Sequence, residues 1–307
     1  MIHHELSRRD FVTRISLAGA ATALGGSALL PVQAAAEAQR FKIIAFSKPF
    51  RTLNAAQTAD LVADVGWDGV ELPVRAKDGQ ITLDKVEEDL PKFVEALRAR
   101  QREVSIVTTD ITSVTPTAEK VLRAASKLGI KRYRLGSTNY TKDKSIPEQL
   151  NEMGARLRDL AALNKELGMQ AGYQNHSGAN YIGAPIWDVW SMIKDLDPKA
   201  MGICFDIGHA TIEGGLAWPT HFRMATPHLT AVFVKDFFWK KTGKDWRSTW
   251  CPLGEGMVQR DFFNRLKATS YAGPICQHHE YELGDDNEMR AHFKKDLATL
   301  REWLGKV

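Results

Sequence analysis

The feature that most constrains the fold of this chain is a regular alternation of short apolar runs with longer amphipathic stretches. The strand candidates are residues 41–46, 69–72, 103–107, 132–135, 169–173, 202–205, 230–234 and 274–277. The helix candidates between and after them are residues 54–65, 83–100, 116–128, 146–167, 185–196, 218–225, 261–267 and 287–304. Apolar residues at helical spacing, such as Met153, Leu157 and Leu160, mark the long stretches. Eight strand–helix units predict a parallel sheet that closes into a single-domain (β/α)8 TIM barrel.

The alternative is a doubly wound open sheet. It is disfavoured because no G-x-G-x-x-G sequence follows the first strand candidate. A length of 307 residues with 44% hydrophobic residues is compatible with one large barrel domain.

Charge and cysteine content exclude several classes of protein. A formal net charge of +4 is small for a chain of this size and argues against a nucleic-acid partner. The three cysteines, Cys204, Cys251 and Cys276, form no C-x-x-C pair, so neither a disulfide framework nor a zinc ribbon is expected.

The N-terminal segment is typical of a targeting signal rather than of the fold. Residues 7–11, Ser-Arg-Arg-Asp-Phe, form a twin-arginine pattern, and an apolar Ala/Gly-rich run over 15–30 follows. Small-x-small cleavage patterns lie at 34–36 and 36–38. We therefore expect residues 1–38 to be a signal peptide read by the twin-arginine export machinery, and residues 39–307 to be the barrel. This predicts a periplasmic or secreted protein with no stable membrane span after cleavage.

Four segments place polar residues at or just beyond predicted strand ends. They are residues 205–210 (Phe-Asp-Ile-Gly-His-Ala), 234–236 (Val-Lys-Asp), 253–256 (Leu-Gly-Glu-Gly) and 277–281 (Gln-His-His-Glu-Tyr). The carboxyl ends of barrel strands form one rim, where the chemistry of such barrels occurs. Converging carboxylates and imidazoles suit Mn²⁺ or Zn²⁺, or direct acid–base work on a carbohydrate.

The chain resembles the xylose-isomerase-like TIM-barrel superfamily, the sugar phosphate isomerase/epimerase group, from Phe41 to about Leu304. The motifs that carry the resemblance are 173–176 (Tyr-Gln-Asn-His), 205–210, 234–236 and 253–256. The resemblance implies a carbohydrate-processing enzyme and a metal set of Glu, Asp, His and Glu on strands five to eight. In this chain those positions hold Gln174, Asp206, Phe233 and His278, so three of the four differ.

Two interpretations of the site remain open. In the first, a rearranged site binds a divalent metal, Mn or Zn, through Asp206 and His278, with Gln174, His209, His176 or Glu280 completing it. In the second, Asp206, His209, Lys235 and Glu280 move protons without a metal. The first is favoured because an aspartate with two or three imidazoles is a reasonable ligand set.

Candidate roles follow from residue chemistry. Lys235 would polarise a sugar carbonyl or stabilise an enediolate, with Glu280 or His278 as base and His209 as acid. The alternative for Lys235 is a structural pairing with Asp206, Glu255 or Glu280. The candidate substrate-binding residues are Glu71, Arg134, Asn175, His176, Trp239 and Glu255. Tryptophans beside the long loops are either packing residues or stacking faces for a sugar ring. Arg134 would meet an anionic group of the substrate or form a core salt bridge.

The favoured function is an exported sugar isomerase or epimerase acting on a small carbohydrate by proton transfer next to a carbonyl. The alternative is a 3-keto-glycoside lyase or hydratase that uses the same carbanion chemistry. A second alternative is a sugar-binding barrel without catalysis. An abasic-site nuclease is disfavoured because such an enzyme needs more metal ligands and a basic DNA-tracking surface.

Overall fold

The computed structural model describes residues 41–305. Eight parallel strands close into a barrel in the order β1-β10-β7-β6-β5-β4-β3-β2. The barrel strands are β1 (Ile43–Phe46), β2 (Gly69–Pro73), β3 (Glu103–Thr108), β4 (Arg132–Arg134), β5 (Gln170–Gln174), β6 (Met201–Asp206), β7 (Leu229–Val234) and β10 (Ile275–Gln277). Strand β1 pairs with both β2 and β10, and this pairing closes the ring. The predicted TIM barrel is confirmed.

Helices follow the strands and cover the outside of the barrel. They are α1 (Ala55–Val65), α2 (Val86–Ala99), α3 (Pro116–Lys127), α4 (Ile146–Leu167), α5 (Ile186–Ile193), α6 (Ile207–Gly214), α7 (Trp218–Ala225), α8 (Asp261–Lys267) and α9 (Asp286–Leu304). Within residues 41–305, no helix combines the length and the hydropathy needed to cross a bilayer. The predicted signal segment lies outside the described residues.

Side-chain alternation along the strands separates two apolar clusters. The smaller one fills the barrel interior and contains Ile44, Phe46, Ile106, Cys204, Ala231, Phe233 and Cys276. The larger one lies between strands and helices and includes the neighbours Phe205, Val232 and Val234. Because successive residues of a strand point to opposite faces, residues two beyond an interior position, such as Asp206 and Lys235, are directed to the mouth of the barrel.

Two elements in the loops after β6 and β7 were not predicted. The segment after β6, expected as a loop or helix turn, forms the two-turn helix α6. The long connection after β7 contains an antiparallel hairpin of β8 (Asp236–Thr242) and β9 (Asp245–Cys251). Its turn is the dipeptide Gly243-Lys244, and Gly243 has φ of +64°, a backbone conformation that glycine adopts readily.

Candidate active site

A continuous set of polar contacts crosses the carboxyl end of the barrel. We call it the rim network, and its members in order of contact are His278, Glu71, Arg134, Gln174, Asp206, Lys235 and Glu280. It joins strands β10, β2, β4, β5, β6 and β7, so side chains far apart in sequence meet at one end of the fold. The structure therefore brings together seven of the residues that sequence reasoning nominated.

Asp206 is fixed at the end of β6 by backbone contacts. It is the N-cap of α6, where its Oδ1 accepts a hydrogen bond from the backbone N–H of His209 at 3.1 Å. Asn175 accepts from the Asp206 backbone N–H at 2.9 Å and donates to its carbonyl at 3.0 Å. Asn175, which we predicted to bind substrate, is buried and is engaged in holding Asp206.

Gly208 is required by the close approach of α6 to β7. A Cβ atom at this position would lie 2.8 Å from the Lys235 carbonyl oxygen and 2.9 Å from Lys235 Cγ. The glycine of the Asp-x-Gly-His sequence thus lets the first turn of α6 pack directly against Lys235.

Lys235 is a buried cation held by two carboxylates and an aromatic ring. Its Nζ lies 2.9 Å from Glu280 Oε2, 3.4 Å from Asp206 Oδ2 and 4.4 Å from the ring centre of Trp250. Paired charges offset the large cost of removing an ammonium group from water, and the indole face adds about 1–2 kcal/mol in a desolvated position.

Glu280 and Gln174 are the partly exposed members of the rim network, and 21% of the Glu280 side chain is exposed. Burial raises the pKa of the Glu280 carboxyl, but the charges of Lys235 and His278 and the hydrogen bond from Lys235 together outweigh burial and lower that pKa to about 2. Glu280 is therefore a carboxylate at any physiological pH. Lys48, at 4.0 Å, approaches it from the loop after β1.

His209 is a neutral imidazole with one free nitrogen. Its Nδ1 lies 2.7 Å from Ser177 Oγ, whereas Nε2 has no hydrogen-bond partner and lies 3.8 Å from Asp206 Oδ2. Burial, with the nearby charges of Lys235 and His176, holds the pKa of His209 well below its ordinary value. The ring of His176 packs on it at 4.0 Å. Burial and the charge of Lys235 lower the pKa of His176 also.

The inner part of the rim network is centred on Glu71, which is fully buried. Glu71 lies 3.2 Å from Arg134 Nε and 2.9 Å from His278 Nε2, and it accepts from the hydroxyl of Thr108. Burial opposes ionisation, yet Arg134 and His278 hold the pKa of Glu71 below its ordinary value. Cys276 Sγ also lies 3.2 Å from Glu71 Oε2. Glu71 is thus enclosed by protein donors.

Gln174 connects the two parts of the rim network. Its Oε1 accepts from Arg134 Nη1 at 2.8 Å, and its Nε2 donates to Asp206 Oδ2 at 2.9 Å. An amide can accept from a guanidinium and donate to a carboxylate at once, whereas an ionised carboxylate can only accept. This explains a glutamine at the position where the resemblance implies a glutamate.

At four positions the resemblance implies residues that bind a metal ion together. In this structure those four residues do not form such a site. Phe233, which is buried, offers no ligand and packs its ring 4.4 Å from that of His278. Arg134 donates to Gln174 and Lys235 contacts Asp206, so two cations already lie against the two remaining oxygen ligands. His278 is bonded to Glu71 rather than to Asp206. The arrangement fits a divalent ion at these four positions poorly.

Within the described residues, a different group has the ligand types and spacing of a metal site. Glu71, Cys276 and His278 each offer a ligand atom, and these atoms lie within 4.8 Å of one another. Burial raises the pKa of the Cys276 thiol well above its ordinary value, which disfavours the thiolate that a metal needs.

A pocket of about 580 Å³ opens beside Glu280. Its wall includes Lys48, Phe50, Trp250, Glu280, Tyr281 and Met289. A substrate in this pocket would reach the exposed edge of the rim network first, at Glu280 and at the ring that covers Lys235.

Two nominated residues lie apart from the rim network. Glu255 is on the surface, where it forms a salt bridge with Lys295 of α9. Trp239 is on the hairpin, 42% exposed. The proposed pairing of Lys235 with Glu255 is not present, whereas its pairings with Asp206 and Glu280 are.

Asp236 lies in the polar segment 234–236, but the sequence indicated no role for it; in the structure it explains the Leu-Gly-Glu-Gly segment. Its carboxylate accepts from the backbone N–H groups of Phe237, Gly254, Gly256 and Val258 at 2.8–3.1 Å. A Cβ atom on Gly256 would lie 2.4 Å from Asp236 Oδ1. The segment is therefore a backbone cradle that anchors the base of the hairpin.

Ser177 was missed, and Trp250 was considered only as one of the tryptophans that either pack or stack on a sugar ring, although both contact catalytic candidates. Ser177 fixes His209, and Trp250 covers Lys235. The alternating residues around Gly243-Lys244 were the available signal for the hairpin that carries Trp250.

No protein with a curated description matches the chain significantly. Among solved structures, 3-keto-D-glucoside 4-epimerase YcjR from E. coli is similar, with a TM-score of 0.67, 16% identity, and coverage of 85% of this chain and 99% of that one. A xylose isomerase-like TIM barrel protein from Mycobacterium smegmatis in complex with magnesium has a TM-score of 0.64 and 18% identity, over 87% of this chain and 99% of that one. The probable 3-DHS dehydratase AsbF from Bacillus anthracis has a TM-score of 0.64 and 15% identity, over 85% and 98%.

At these identities the structural similarity concerns the fold. The sequence itself matches the family model described as "Xylose isomerase-like TIM barrel" over residues 59–303, which is most of the chain. The chain therefore belongs to the xylose isomerase-like TIM barrel family.

Proposed function

We propose that this protein is a sugar isomerase or epimerase that removes and returns a proton at a carbon next to a carbonyl group. The observation that carries the proposal is Lys235, a buried ammonium between Glu280 and Asp206 beside an open pocket. A fixed cation of this kind stabilises the negative charge that develops on a carbonyl oxygen when the neighbouring carbon loses its proton.

Glu280 is the base in this proposal. It is ionised, partly exposed and in the wall of the pocket, whereas His278 is enclosed and bonded to Glu71. A carbonyl oxygen that takes over the Lys235 Nζ contact would weaken the Lys235–Glu280 pair, and the weakened pair makes the carboxylate more basic.

The reaction then balances within these residues. Glu280 takes the proton from carbon, and the electron pair of that C–H bond moves onto the carbonyl oxygen beside Lys235. With the Ser177 hydroxyl donating to Nδ1, His209 carries its proton on Nε2 and donates a hydrogen bond to the same oxygen. In an isomerisation, His209 delivers its Nε2 proton to the former carbonyl oxygen and regains one from the hydroxyl group on the original carbon, while Glu280 returns its proton to the former carbonyl carbon. In an epimerisation, the planar enolate turns its opposite face toward Glu280, which then returns the proton to the original carbon with inverted configuration.

The family and the similar folds support this class of reaction. The E. coli protein with the same fold is named a 3-keto-D-glucoside 4-epimerase, and other proteins of similar fold are described as a D-tagatose 3-epimerase-like protein and an L-ribulose 3-epimerase. An epimerisation next to a ketone is the proton exchange that Lys235 and Glu280 are suited to.

Elimination is the second candidate function. If the carbon beyond the carbanion bears a leaving group, the same enolate expels it, and the enzyme is a lyase on 3-keto-glycosides. The similarity of fold to a probable 3-DHS dehydratase supports the elimination reaction. The predicted export, for which residues 1–38 are the only signal, also favours it, because sugar phosphates are scarce outside the cytoplasm.

The proposed reaction uses no metal ion. A similar structure is described in complex with magnesium, and Mn or Zn bound by Asp206, Gln174 and His278 remains a prediction. The supporting argument for side-chain catalysis is that Lys235 and Arg134 already supply positive charge at those oxygens.

The test is proton exchange in deuterated water with a panel of aldoses, ketoses and 3-keto-glycosides, followed by NMR. The proposal predicts one deuteron at the carbon next to the carbonyl, with an epimer or isomer as product. Release of the aglycone together with loss of the hydrogen at the carbon next to the carbonyl would assign the lyase function. Absence of exchange across the panel would contradict both and leave the non-catalytic sugar-binding barrel.

A further inference from the structure

The hairpin after β7 carries an aromatic face that begins at the proposed reaction centre. In the register of β8 and β9, Phe237 is opposite Trp250, Trp239 is opposite Ser248, and Lys241 is opposite Trp246. Alternate residues of a strand share a face, so four aromatic rings lie on one side of the hairpin. We call Phe237, Trp239, Trp246 and Trp250 the aromatic face.

The inner end of the aromatic face is part of the site. The Trp250 ring lies 4.4 Å from Lys235 Nζ and 5.2 Å from the ring of His209, so this side of the hairpin is directed to the barrel mouth. Phe237 is buried beneath it, with ring centres at 6.3 Å from Trp250 and 5.7 Å from Trp239. The aromatic contacts therefore pass without a gap from Lys235 outward to Trp239.

The outer end of the aromatic face is open to solvent. Trp239 is 42% exposed and Trp246 is 62% exposed. Trp250 and Trp246 are four residues apart, which corresponds to about 13 Å along an extended strand. Large exposed aromatic side chains in continuity with a pocket indicate a binding surface, and the span is greater than one sugar ring needs.

We propose that the aromatic face binds a second ring, joined to the reacting sugar through a glycosidic bond, so that the substrate class is glycosides rather than free monosaccharides. The inference rests on the proposed function, because it places the reacting sugar at Lys235 and Glu280. The flat C–H or π face of the second ring stacks on Trp239 and Trp246, as amphipathic rings do on indoles.

The charged residues of the hairpin indicate which net charge the glycoside carries. Lys240, Lys241, Lys244 and Arg247 surround the tip, and Asp245, the first residue of β9, is the acidic residue there. This basic tip accommodates neutral or anionic glycosides and disfavours cationic ones.

The opposite face of the hairpin provides a matched control. Phe238, opposite Thr249, is 39% exposed and points away from the aromatic face. Phe238→Ala removes an exposed aromatic ring from the same strand without touching the proposed binding surface.

The experiment measures binding by isothermal titration calorimetry of methyl, phenyl and glucosyl β-glycosides of glucose, galactose and mannose. For the preferred sugar, wild type and Phe238→Ala should bind the phenyl or glucosyl form at least tenfold more tightly than the methyl form. Trp239→Ala and Trp246→Ala should lose this preference. Lys235→Met should keep it while losing proton exchange, which separates this inference from the proposed function.

Equal affinity for methyl and ring-bearing glycosides, or no binding of any glycoside in the panel, would overturn the proposal. Sedimentation with anionic phosphatidylglycerol vesicles is measured in parallel. If Trp239→Ala and Trp246→Ala abolish vesicle binding and leave glycoside affinity unchanged, the aromatic face is a membrane contact and the proposal is wrong.

Discussion

Gln174 holds the rim network together because it accepts from Arg134 and donates to Asp206 through one amide group. A glutamate at this position would keep the first hydrogen bond and replace the second with a repulsion between carboxylates. A single change of a nitrogen to an oxygen therefore alters the charge balance of the whole rim.

Gln174→Glu should lower the free energy of unfolding by about 1–3 kcal/mol at pH 8, since it loses a hydrogen bond to a charged group and places two carboxylates in contact. Chemical denaturation of both proteins checks this. Gln170→Glu is the control, because Gln170 begins the same strand and donates only to the exposed Pro198 carbonyl. Equal loss in the two variants would contradict the linking role of Gln174.

Among the secondary-structure elements, the hairpin is attached to the barrel through one carboxylate. Asp236 collects four backbone N–H groups from both sides of the connection, with no side-chain cation among them. Because each of these donors is left without its partner when the acceptor is lost, the position should tolerate little change.

Asp236→Ala should reduce the free energy of unfolding by about 3–5 kcal/mol and should also weaken glycoside binding, because it frees the hairpin that carries Trp250. Thermal unfolding followed by circular dichroism measures the first effect. Asp245→Ala, at the exposed hairpin turn, is the control and should change stability by less than about 0.5 kcal/mol. A mild effect of Asp236→Ala would show that the cradle is not what anchors the hairpin.

Helix α9 is attached to the same region through Asp296, which is buried. Its Oδ1 accepts from the backbone N–H of Leu253 at 3.2 Å, and its Oδ2 accepts from the hydroxyl of Tyr281 at 2.9 Å. Burial raises the pKa of Asp296 to about 7, because these donors and the nearby Lys295 only partly offset it.

The native state thus binds the Asp296 proton more tightly than the unfolded chain does. Its contribution to stability is complete below about pH 4 and is lost as the pH rises toward 7. Asp296→Asn does not titrate, so the stability of the variant relative to wild type should increase by about 2–4 kcal/mol between pH 4 and pH 8. Melting temperatures across this range check the prediction. A constant difference would mean that Asp296 is ionised throughout.

At the scale of the whole molecule, the barrel was predictable and the site only in part. Strand runs and helical periodicity are local properties, and the predicted bounds agree with the structure to three residues or better. The barrel also explains why residues as distant as Glu71 and His278 are in contact. The hydrogen-bond partner of each residue at the barrel mouth depends on side-chain geometry across the mouth. No sequence pattern encodes that geometry.

The contacts made by Trp250 could not be predicted from the sequence, because they depend on the hairpin. Trp250 covers Lys235 only when β8 and β9 pair in the observed register. Asn175 was predicted to bind substrate, but its amide is used by the Asp206 backbone. The export signal stays a prediction, because it lies outside the described residues.

The amount of metal bound to the purified protein tests whether side-chain cations already balance the negative charges of the rim network. We expect plasma mass spectrometry to find less than about a tenth of an equivalent of Mn, Zn or Mg in the purified protein, and we expect activity to survive dialysis against a chelator, because side-chain cations already occupy the oxygen ligands. Near-stoichiometric metal that is lost in Asp206→Ala would instead assign the rearranged metal site.

The central claim is that Lys235 stabilises the charge formed when a sugar loses a proton next to its carbonyl. Its most direct test is the rate of deuterium incorporation into the best substrate by Lys235→Met, compared with wild type and with Lys199→Met, at an exposed position just before β6 and at the other end of the barrel. We predict a loss of about 100-fold or more for Lys235→Met, as for other groups that stabilise a developing oxyanion, and wild-type rates for Lys199→Met. Exchange by a folded Lys235→Met protein within a few-fold of wild type would contradict the claim.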